Sequence, residues 1–380
     1  MNKPKALIIT RYFPPSAGGA SMVMYNLCKY LPSENFCIIS ARRGDYGVVD
    51  DNFYLNCNII RMHWIEIIDT IKIPIFLLIY TLYLILFKGI ILIKKEKINC
   101  ILGVYPSFCG ILSAYILHKI TRKPLIVYMH DLFSESLTDK SHMSNLERKF
   151  WSSIEQKIFL SASKIFVPTE RFRKHYEKRG MENVVVFPHS IDPKETKTFD
   201  VDNEKLKIVF TGEVYHAHED SVRKFIEATK YISDIDVVFA TPSNLDYLQE
   251  VSVGFLSRDK CIDLQRSADV LFLPLAFDSP YPKEIMAVLP SKTLEYLAAG
   301  KPILAVVPKG SYVEEFIEEN DVGIVVNELS QDKIIDAINK LKDEKLRKKF
   351  SNNALECVKK FDAKKRADEL LSILKELYPR

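Results

Sequence analysis

The sequence alternates short runs of consecutive apolar residues with segments long enough to form a helix. Runs that are apolar at successive positions are typical of strands buried on both faces of a parallel sheet. The alternation occurs in two series, which a polar stretch without periodicity separates at residues 188–203. We therefore predict an α/β protein with two doubly wound parallel sheets. The predicted strands are 5–10, 36–40, 58–62, 100–104, 125–129, 164–167 and 184–187 in the first series, and 207–210, 236–240, 270–275, 302–307 and 323–326 in the second.

The length of the chain favours two domains. A chain of 380 residues exceeds what one hydrophobic core usually serves, and 47% of its residues are hydrophobic. We predict a first domain at 1–192 and a second domain at 204–362. The tail has charged and apolar faces at helical spacing, so we expect a helix at about 363–380 that packs back on the first domain.

The charge balance gives no reason to expect nucleic acid as a partner. Lys and Arg total 53 and Asp and Glu total 49, which leaves a net charge of only +4. The seven cysteines lack the spacing of a zinc site or a disulfide framework. The first apolar run is too short for the core of a signal peptide. We therefore expect a protein of the reducing cytoplasm.

Several candidate ligand-binding residues follow predicted strands, where doubly wound sheets bind their ligands. Gly18 and Gly19 separate the first strand from a helix. They either bring the backbone close to a ligand or merely permit a positive φ. His130 and Asp131 follow the strand at 125–129. His130 is either a ligand-contacting residue or an ordinary core histidine.

The segment 289–302 predicts a short helix with two defined ends. Ser291 suits its first turn, and Gly300 suits the left-handed position that ends it. Lys292 and Glu295 share one face, close to amides that favour an anion. One interpretation is a binding site for a nucleotide diphosphate, with Lys292 near the phosphates and Glu295 accepting hydrogen bonds from two ribose hydroxyls. The other is a surface ion pair worth only about 0.2–0.5 kcal/mol.

The most apolar stretch, 73–87, carries no charge, and Lys88 and Gly89 interrupt it before it continues to residue 93. The uninterrupted part is shorter than the ~20 residues that a membrane span needs. Three interpretations of 73–93 remain open: a helix of the domain core, an interfacial helix on the cytoplasmic leaflet, and a true span. The flanking lysines would favour anionic lipid.

The sequence contains no convincing metal-binding or hydrolase motif. Two acidic triplets, 200–202 and 234–236, match a metal-binding Asp-x-Asp by letter. The first lies in the polar stretch and the second directly precedes a strand, so we attribute both to chance. The sequence contains no Walker A, HExxH or GxSxG motif, which argues against most hydrolases and NTPases.

Taken in order, these features resemble the GT-B, family 4 type of retaining glycosyltransferases, in the branch that builds bacterial capsule, O-antigen or other surface polysaccharide. The resemblance implies two Rossmann-like domains facing a central cleft. It also implies transfer of a sugar from a nucleotide-sugar, which we expect to be a UDP-sugar, to a lipid-linked or saccharide acceptor. Neither a metal nor another cofactor is expected. The features that carry the resemblance are the two α/β halves, Pro14-Pro15, Gly18-Gly19, His130-Asp131, 188–192 and 290–302.

The resemblance also implies roles for individual residues. Glu295 would hold the donor ribose, and the helix-start amides at Ser291 would help to hold the diphosphate. His130 would face the transferred sugar as the catalytic histidine. The loop with Gly18 and Gly19 would lie near the donor phosphates and the acceptor.

The chain departs from the family pattern at two places. The first of the two glutamates that the family spaces eight residues apart would fall at Ala287, and Glu284 is a possible substitute. The usual cationic pair after the first strand of the second domain is absent, because Gly212 is followed by Glu213. A partly buried diphosphate needs compensating charge, and Lys292 is the best candidate to supply it.

In the mechanism that the resemblance implies, the donor phosphate itself helps to deprotonate the acceptor hydroxyl, and transfer retains the anomeric configuration. We expect the protein to work in the cytoplasm, peripheral to the inner face of the membrane. Two alternatives remain: a nucleotide-sugar epimerase of similar form, and a non-catalytic sugar-nucleotide-binding component of a polysaccharide assembly complex.

Overall fold

The computed structural model of the chain describes residues 3–16, 18–42, 55–64, 75–132, 145–196 and 203–378. The chain divides into two compact units. The first consists of Met1–Ser190 together with Ala363–Arg380, and the second of Ile191–Asp362.

The first unit is built on a parallel sheet. Within the described residues this sheet has seven strands in the order β3-β2-β1-β4-β5-β6-β7. The strands are β1 (Ala6–Ile9), β2 (Phe36–Ala41), β3 (Asn58–Met62), β4 (Cys100–Tyr105), β5 (Leu125–Met129), β6 (Lys164–Val167) and β7 (Val184–Val186).

Helices cover this sheet, and one of them comes from the end of the chain. The described helices of the first unit are α1 (Gly19–Lys29), α2 (Ile75–Lys95), α3 (Phe108–Thr121), α4 (Asn145–Ser161), α5 (Glu170–Glu177) and, from the C-terminal tail, α13 (Ala363–Glu376). Leu370 and Leu374 of α13 are buried in the same cluster as Leu27 of α1 and Ile8 of β1. The last helix therefore completes the core that the first strand begins.

The second unit repeats the architecture with a smaller sheet. Its described residues form five parallel strands in the order β12-β11-β10-β8-β9. The strands are β8 (Leu206–Thr211), β9 (Ile235–Ala240), β10 (Val270–Pro274), β11 (Ile303–Val306) and β12 (Gly323–Val326). The helices are α6 (Glu219–Thr229), α7 (Arg258–Arg266), α8 (Pro282–Ala287), α9 (Ser291–Ala298), α10 (Tyr312–Asn320), α11 (Gln331–Leu341) and α12 (Glu344–Val358).

Both ends of the second unit lie side by side. Ile191 forms a parallel bridge with Asp362, and its amide donates to the carbonyl of Phe361 at 2.9 Å. The side chain of Ile191 is buried in the core of the second unit. From Ile191 onwards, the described part of the polar stretch 188–203 therefore belongs to that unit. Residues 197–202, with the first acidic triplet, lie outside the described residues.

The predicted fold class is confirmed. Each predicted strand is found, and its ends differ from the prediction by at most one residue. Both sheets reverse their winding beside their first strand, between β1 and β4 and between β8 and β10. Ligands of doubly wound sheets bind at the carboxyl ends of strands at such a switch point. The residues that follow β1 and β8 are therefore the candidates for a ligand-binding site.

Candidate functional site

The second unit brings a glycine and a lysine together at the end of β8. Gly212 follows the strand with a φ of +121°, a value that favours glycine. A Cβ atom at Gly212 would lie only 3.3 Å from Nζ of Lys292. Glycine thus allows the amine of Lys292 to reach the backbone at the switch point of the sheet.

The amine of Lys292 is held without an ion pair among the described residues. Its Nζ lies 4.1 Å from the centre of the Phe210 ring, a cation–π contact. Burial lowers the pKa of Lys292 to about 7, although the carboxylates of Glu295 and Glu213 act to raise it. An anion bound at this amine would hold it in the protonated form.

The start of α9 lies beside this amine. The helix begins at Ser291 after Pro290, and no described side chain caps its first turn. Thr293 donates its amide to the carbonyl of Pro290 at 2.9 Å, so the earlier amides are the ones without a helical partner. Gly300 ends the segment with a φ of +63°. The predicted helix at 289–302 is confirmed, and its start favours an anion.

Glu295, one turn into α9, belongs to a charged network. Arg258 Nη1 donates to its Oε1 at 3.0 Å, and Gln265 Nε2 donates to its Oε2 at 3.3 Å. Arg258 Nη2 also donates to Oε2 of Glu195 at 2.6 Å. Burial acts to lower the pKa of Arg258, but the carboxylates of Glu295 and Glu195 hold it above its ordinary value.

The network leaves Glu295 able to accept further hydrogen bonds. A carboxylate offers about four acceptor positions, and the described residues use two of those on Glu295. Gln265 also donates to Oγ1 of Thr211 at 2.8 Å, and the amide of Thr211 donates to the hydroxyl of Tyr296 at 3.2 Å. These bonds fix α7 and α9 against the end of β8.

The remaining predicted residues of this unit lie near the same edge or on α8. Burial raises the pKa of Glu213, and Lys292 opposes this shift. Ala287 is buried in α8, as its apolar side chain requires. Glu284 is half-buried on the same helix. Its role as a substitute carboxylate stays a prediction.

The first unit holds a pair of histidines after β5 and β7. Nδ1 of His130 lies 2.8 Å from Nε2 of His189. Burial, with a smaller effect of His189, holds the pKa of His130 well below its ordinary value, and burial lowers the pKa of His189 to about 4. Both rings are therefore neutral at pH 7.

Each ring of the histidine pair keeps one free nitrogen. Nε2 of His130 and Nδ1 of His189 are buried, and neither has a partner among the described residues. One of the two is a donor and the other an acceptor, because a single proton lies between the rings. Burial also raises the pKa of the adjacent Asp131 to about 6. A neutral His130 can donate or accept a hydrogen bond but carries no charge.

Gly18 and Gly19 lie at the other ligand-binding edge predicted from sequence. Gly18 has a φ of +112° and faces open space, and Gly19 begins α1. The positive φ accounts for glycine at position 18. Because both residues are exposed, the first amides of α1 are also accessible to a ligand.

Solved structures share the fold of this chain. Sucrose-phosphate synthase from Thermosynechococcus elongatus matches with a TM-score of 0.74 and 15% identity, over 99% of each chain. Anabaena HepE, solved with UDP and glucose, matches with a TM-score of 0.70 and 13% identity, over 98% of this chain and 99% of that one. A putative UDP-N-acetylglucosamine 2-epimerase from Listeria monocytogenes matches with a TM-score of 0.63 and 14% identity, over 98% and 96%. No curated protein sequence matches the chain.

Two family models match the sequence of the chain, and both describe glycosyltransferases. Glycosyltransferase Family 4 matches residues 17–195, and Glycosyl transferases group 1 matches residues 249–356. The chain is a glycosyltransferase of the GT-B fold. The predicted enzyme class, a glycosyltransferase, is therefore confirmed. Ser291, Lys292 and Glu295 lie in the segment that the second model covers, and their donor-binding role stays a prediction.

Sequence reasoning about this glycosyltransferase missed three members of the charged network: Glu195, Arg258 and Gln265. No motif marks them, since they reach Glu295 only through the packing of α7 and of the turn at Pro193–Glu195. It also placed His189 only within the family segment 188–192 and did not pair it with His130. Both misses concern residues that the fold, and not the local sequence, brings together.

Proposed function

We propose that this glycosyltransferase moves a sugar from a UDP-sugar to a lipid-linked or saccharide acceptor, with retention of the anomeric configuration, in the synthesis of a bacterial surface polysaccharide. The observation that carries the donor assignment is the amine of Lys292, held against Gly212 without an ion pair among the described residues. The HepE structures with UDP and with UDP-glucose support a uridine donor.

In this proposal the diphosphate lies between Lys292 and the first amides of α9 at Ser291. The amine supplies a positive charge, and the helix start supplies hydrogen-bond donors without a charge of their own. Gly212 leaves room for the phosphates, and Glu213 lies on the same loop. With these groups compensating the diphosphate charge, transfer proceeds without a metal.

Glu295 binds the ribose. Its two oxygens accept from Arg258 and Gln265 and keep further acceptor positions for two vicinal hydroxyls. Arg258 fixes the orientation of this carboxylate through a charge-assisted hydrogen bond. His130 contacts the transferred sugar as a neutral hydrogen-bonding group. The loop with Gly18 and Gly19 lies near the donor phosphates and the acceptor.

The reaction breaks the bond between the anomeric carbon and the diphosphate oxygen and forms a bond from that carbon to the acceptor oxygen on the same face. The departing phosphate oxygen takes the proton of the acceptor hydroxyl. The protein therefore acts by positioning the two substrates and stabilising the charge of the leaving diphosphate. We place the reaction in the cytoplasm, because the spacing of the seven cysteines gives no sign of a disulfide framework.

The test is a product assay. The purified protein is incubated with UDP-glucose, UDP-galactose or UDP-N-acetylglucosamine and with native membrane lipids, and the product is identified by mass spectrometry and NMR. We expect UDP release only when acceptor is present, and a glycosidic bond with the configuration of the donor.

Two outcomes would contradict the proposal. Conversion of the sugar nucleotide without acceptor would indicate an epimerase. Donor binding without transfer to any lipid fraction would indicate a non-catalytic component. Glu295→Ala serves as the inactive control, because it removes the proposed ribose contact while the helix remains intact.

A further inference from the structure

Helix α2 has one face that belongs to the core of the first unit. Thr81, Ile85 and Leu92 are almost completely buried on this face. Gly89 lies so close to α3 that a Cβ atom there would be 2.6 Å from Cδ1 of Leu117. From Thr81 to Ile93 the helix is therefore packed on the unit, and its neighbours there are α3 and strands β1 and β2.

The opposite face of α2 is apolar and exposed. Its side chains recur every three or four residues, so they form one stripe along the helix. Phe76 is 64% exposed and Tyr83 59%. We call this set the α2 stripe; it consists of Phe76, Ile79, Tyr80, Tyr83, Phe87 and Ile91.

The end of the α2 stripe is basic. Residues 75–95 contain no Asp or Glu, while Lys88, Lys94 and Lys95 lie on the helix and Lys97 follows it. The nearby carboxylate of Glu96 accepts a hydrogen bond from Lys5 at 2.7 Å and interacts electrostatically with Lys95 among these lysines. These lysines form no salt bridge with another described residue, and an apolar stripe that ends in such lysines matches a surface that is apolar at depth and anionic at its boundary.

Among the described residues, Phe76–Lys95 is the helix that is long and apolar enough to cross a membrane by length and composition. A crossing would strip Thr81, Ile85 and Leu92 from their contacts with the first unit. The packing of one face thus favours a helix that lies in the interface over one that spans the bilayer.

We propose that the α2 stripe docks the first unit on an anionic lipid bilayer. The aromatic and aliphatic side chains enter the boundary between headgroups and acyl chains, with the hydroxyls of Tyr80 and Tyr83 at headgroup level. The lysines bind lipid phosphate. A second copy of this chain fits less well, because its residues 75–95 contain no acidic partner for these lysines.

The test uses the full chain and vesicles of stated composition, either phosphatidylcholine alone or phosphatidylcholine with 30% phosphatidylglycerol. We expect flotation with the anionic vesicles, little with the neutral ones, and weakening with salt. Phe76→Ser/Tyr83→Ser/Phe87→Ser should abolish flotation. The matched control, Leu160→Ser/Tyr231→Ser/Phe255→Ser, removes three apolar side chains elsewhere that are at least as exposed, and it should float as the wild type does.

A second variant tests the charge without touching the apolar face. Lys88→Gln/Lys94→Gln/Lys95→Gln should weaken binding to anionic vesicles by roughly fivefold for each lysine, with the circular dichroism spectrum unchanged. Vesicle binding that survives in both the serine and the glutamine variants would overturn the proposal. A wild-type dimer in solution that the serine variant disperses, without vesicle binding, would show that a second copy covers the stripe. Because flotation needs no donor or acceptor, these outcomes are independent of the proposed transferase reaction.

Discussion

The amine of Lys292 lies over the ring of Phe210, 4.1 Å from its centre. A cation from the first turn of α9 thus contacts an aromatic ring at the end of strand β8. The contact holds the charge where the strand ends, next to Gly212. The resemblance to the family predicts a cationic pair after that strand. Here the cation comes from the helix, and its pKa is lowered to about 7 by burial.

Donor affinity should therefore depend on pH near neutrality. The amine is protonated below pH 7 and neutral above it, while the diphosphate of a UDP-sugar keeps its charge over this range. We expect the Kd for UDP-glucose to be about tenfold higher at pH 8 than at pH 6, measured by isothermal titration calorimetry.

Lys292→Arg is the matched control for this titration, because a guanidinium stays charged throughout. Its affinity should be nearly constant from pH 6 to pH 8, and Lys292→Met should bind weakly at both. An identical slope in the wild type and the Arg variant would assign the titration to another group.

Removing Arg258 should destabilise the second unit. Arg258→Met leaves the partly buried carboxylates of Glu195 and Glu295 facing each other without a cation, at a cost of about 1–3 kcal/mol. The expected readout is a lower Tm together with weaker donor binding. Arg223→Met, which breaks an exposed ion pair with Glu219, should change the Tm very little. Equal effects of the two substitutions would rule out a special role for the buried network.

The histidine pair should make the protein sensitive to mild acid. Folding lowers the pKa of His130 and of His189, so the unfolded chain binds protons first as the pH falls below about 6.5. Each histidine then costs up to about 1.4 kcal/mol of stability per pH unit until its folded pKa is reached. Asp131, whose pKa is raised to about 6, acts in the opposite direction below that pH.

The comparison that isolates the pair is the wild type against His189→Gln, since glutamine keeps a polar atom near Nε2 but does not titrate. The Tm of the variant should fall less steeply between pH 7 and pH 5. Parallel curves for the two proteins would mean that the acid sensitivity arises elsewhere, for example at the buried His218.

The close approach of α2 to α3 predicts a coupling between two residues. Gly89→Ala should lower the Tm despite the better helix propensity of alanine, because its Cβ meets Leu117. In a Leu117→Ala background the same change should be neutral or stabilising. A double-mutant cycle measures this coupling, and simple additivity would show that the two helices can separate at no cost.

The sequence was sufficient for the elements and their order. Strands such as Leu125–Met129 are apolar at every position, a pattern that only a sheet covered on both faces satisfies. The short helix α9 was predictable because its ends are encoded locally, by Ser291 at its start and Gly300 after it. These features depend on neighbours along the chain.

The partners inside the candidate site were not predictable in the same way. Arg258 is 37 positions from Glu295, and His130 is 59 positions from His189. Their meeting depends on how helices pack on the sheets, and no spacing rule along the chain encodes it. Residues 73–93 were ambiguous for a related reason: composition alone does not tell which face of a helix the domain covers.

The second unit is an insertion within the first, and the hydrogen bond between Ile191 and Phe361 joins its two ends. During synthesis, residues 191–362 can close into their own core as soon as they have emerged. The first unit, by contrast, still lacks α13, whose Leu370 and Leu374 cover α1 and β1. The second unit is thus expected to fold before the first unit, although most of the first unit is translated earlier. The same adjacent ends make residues 191–362 a natural fragment to express alone.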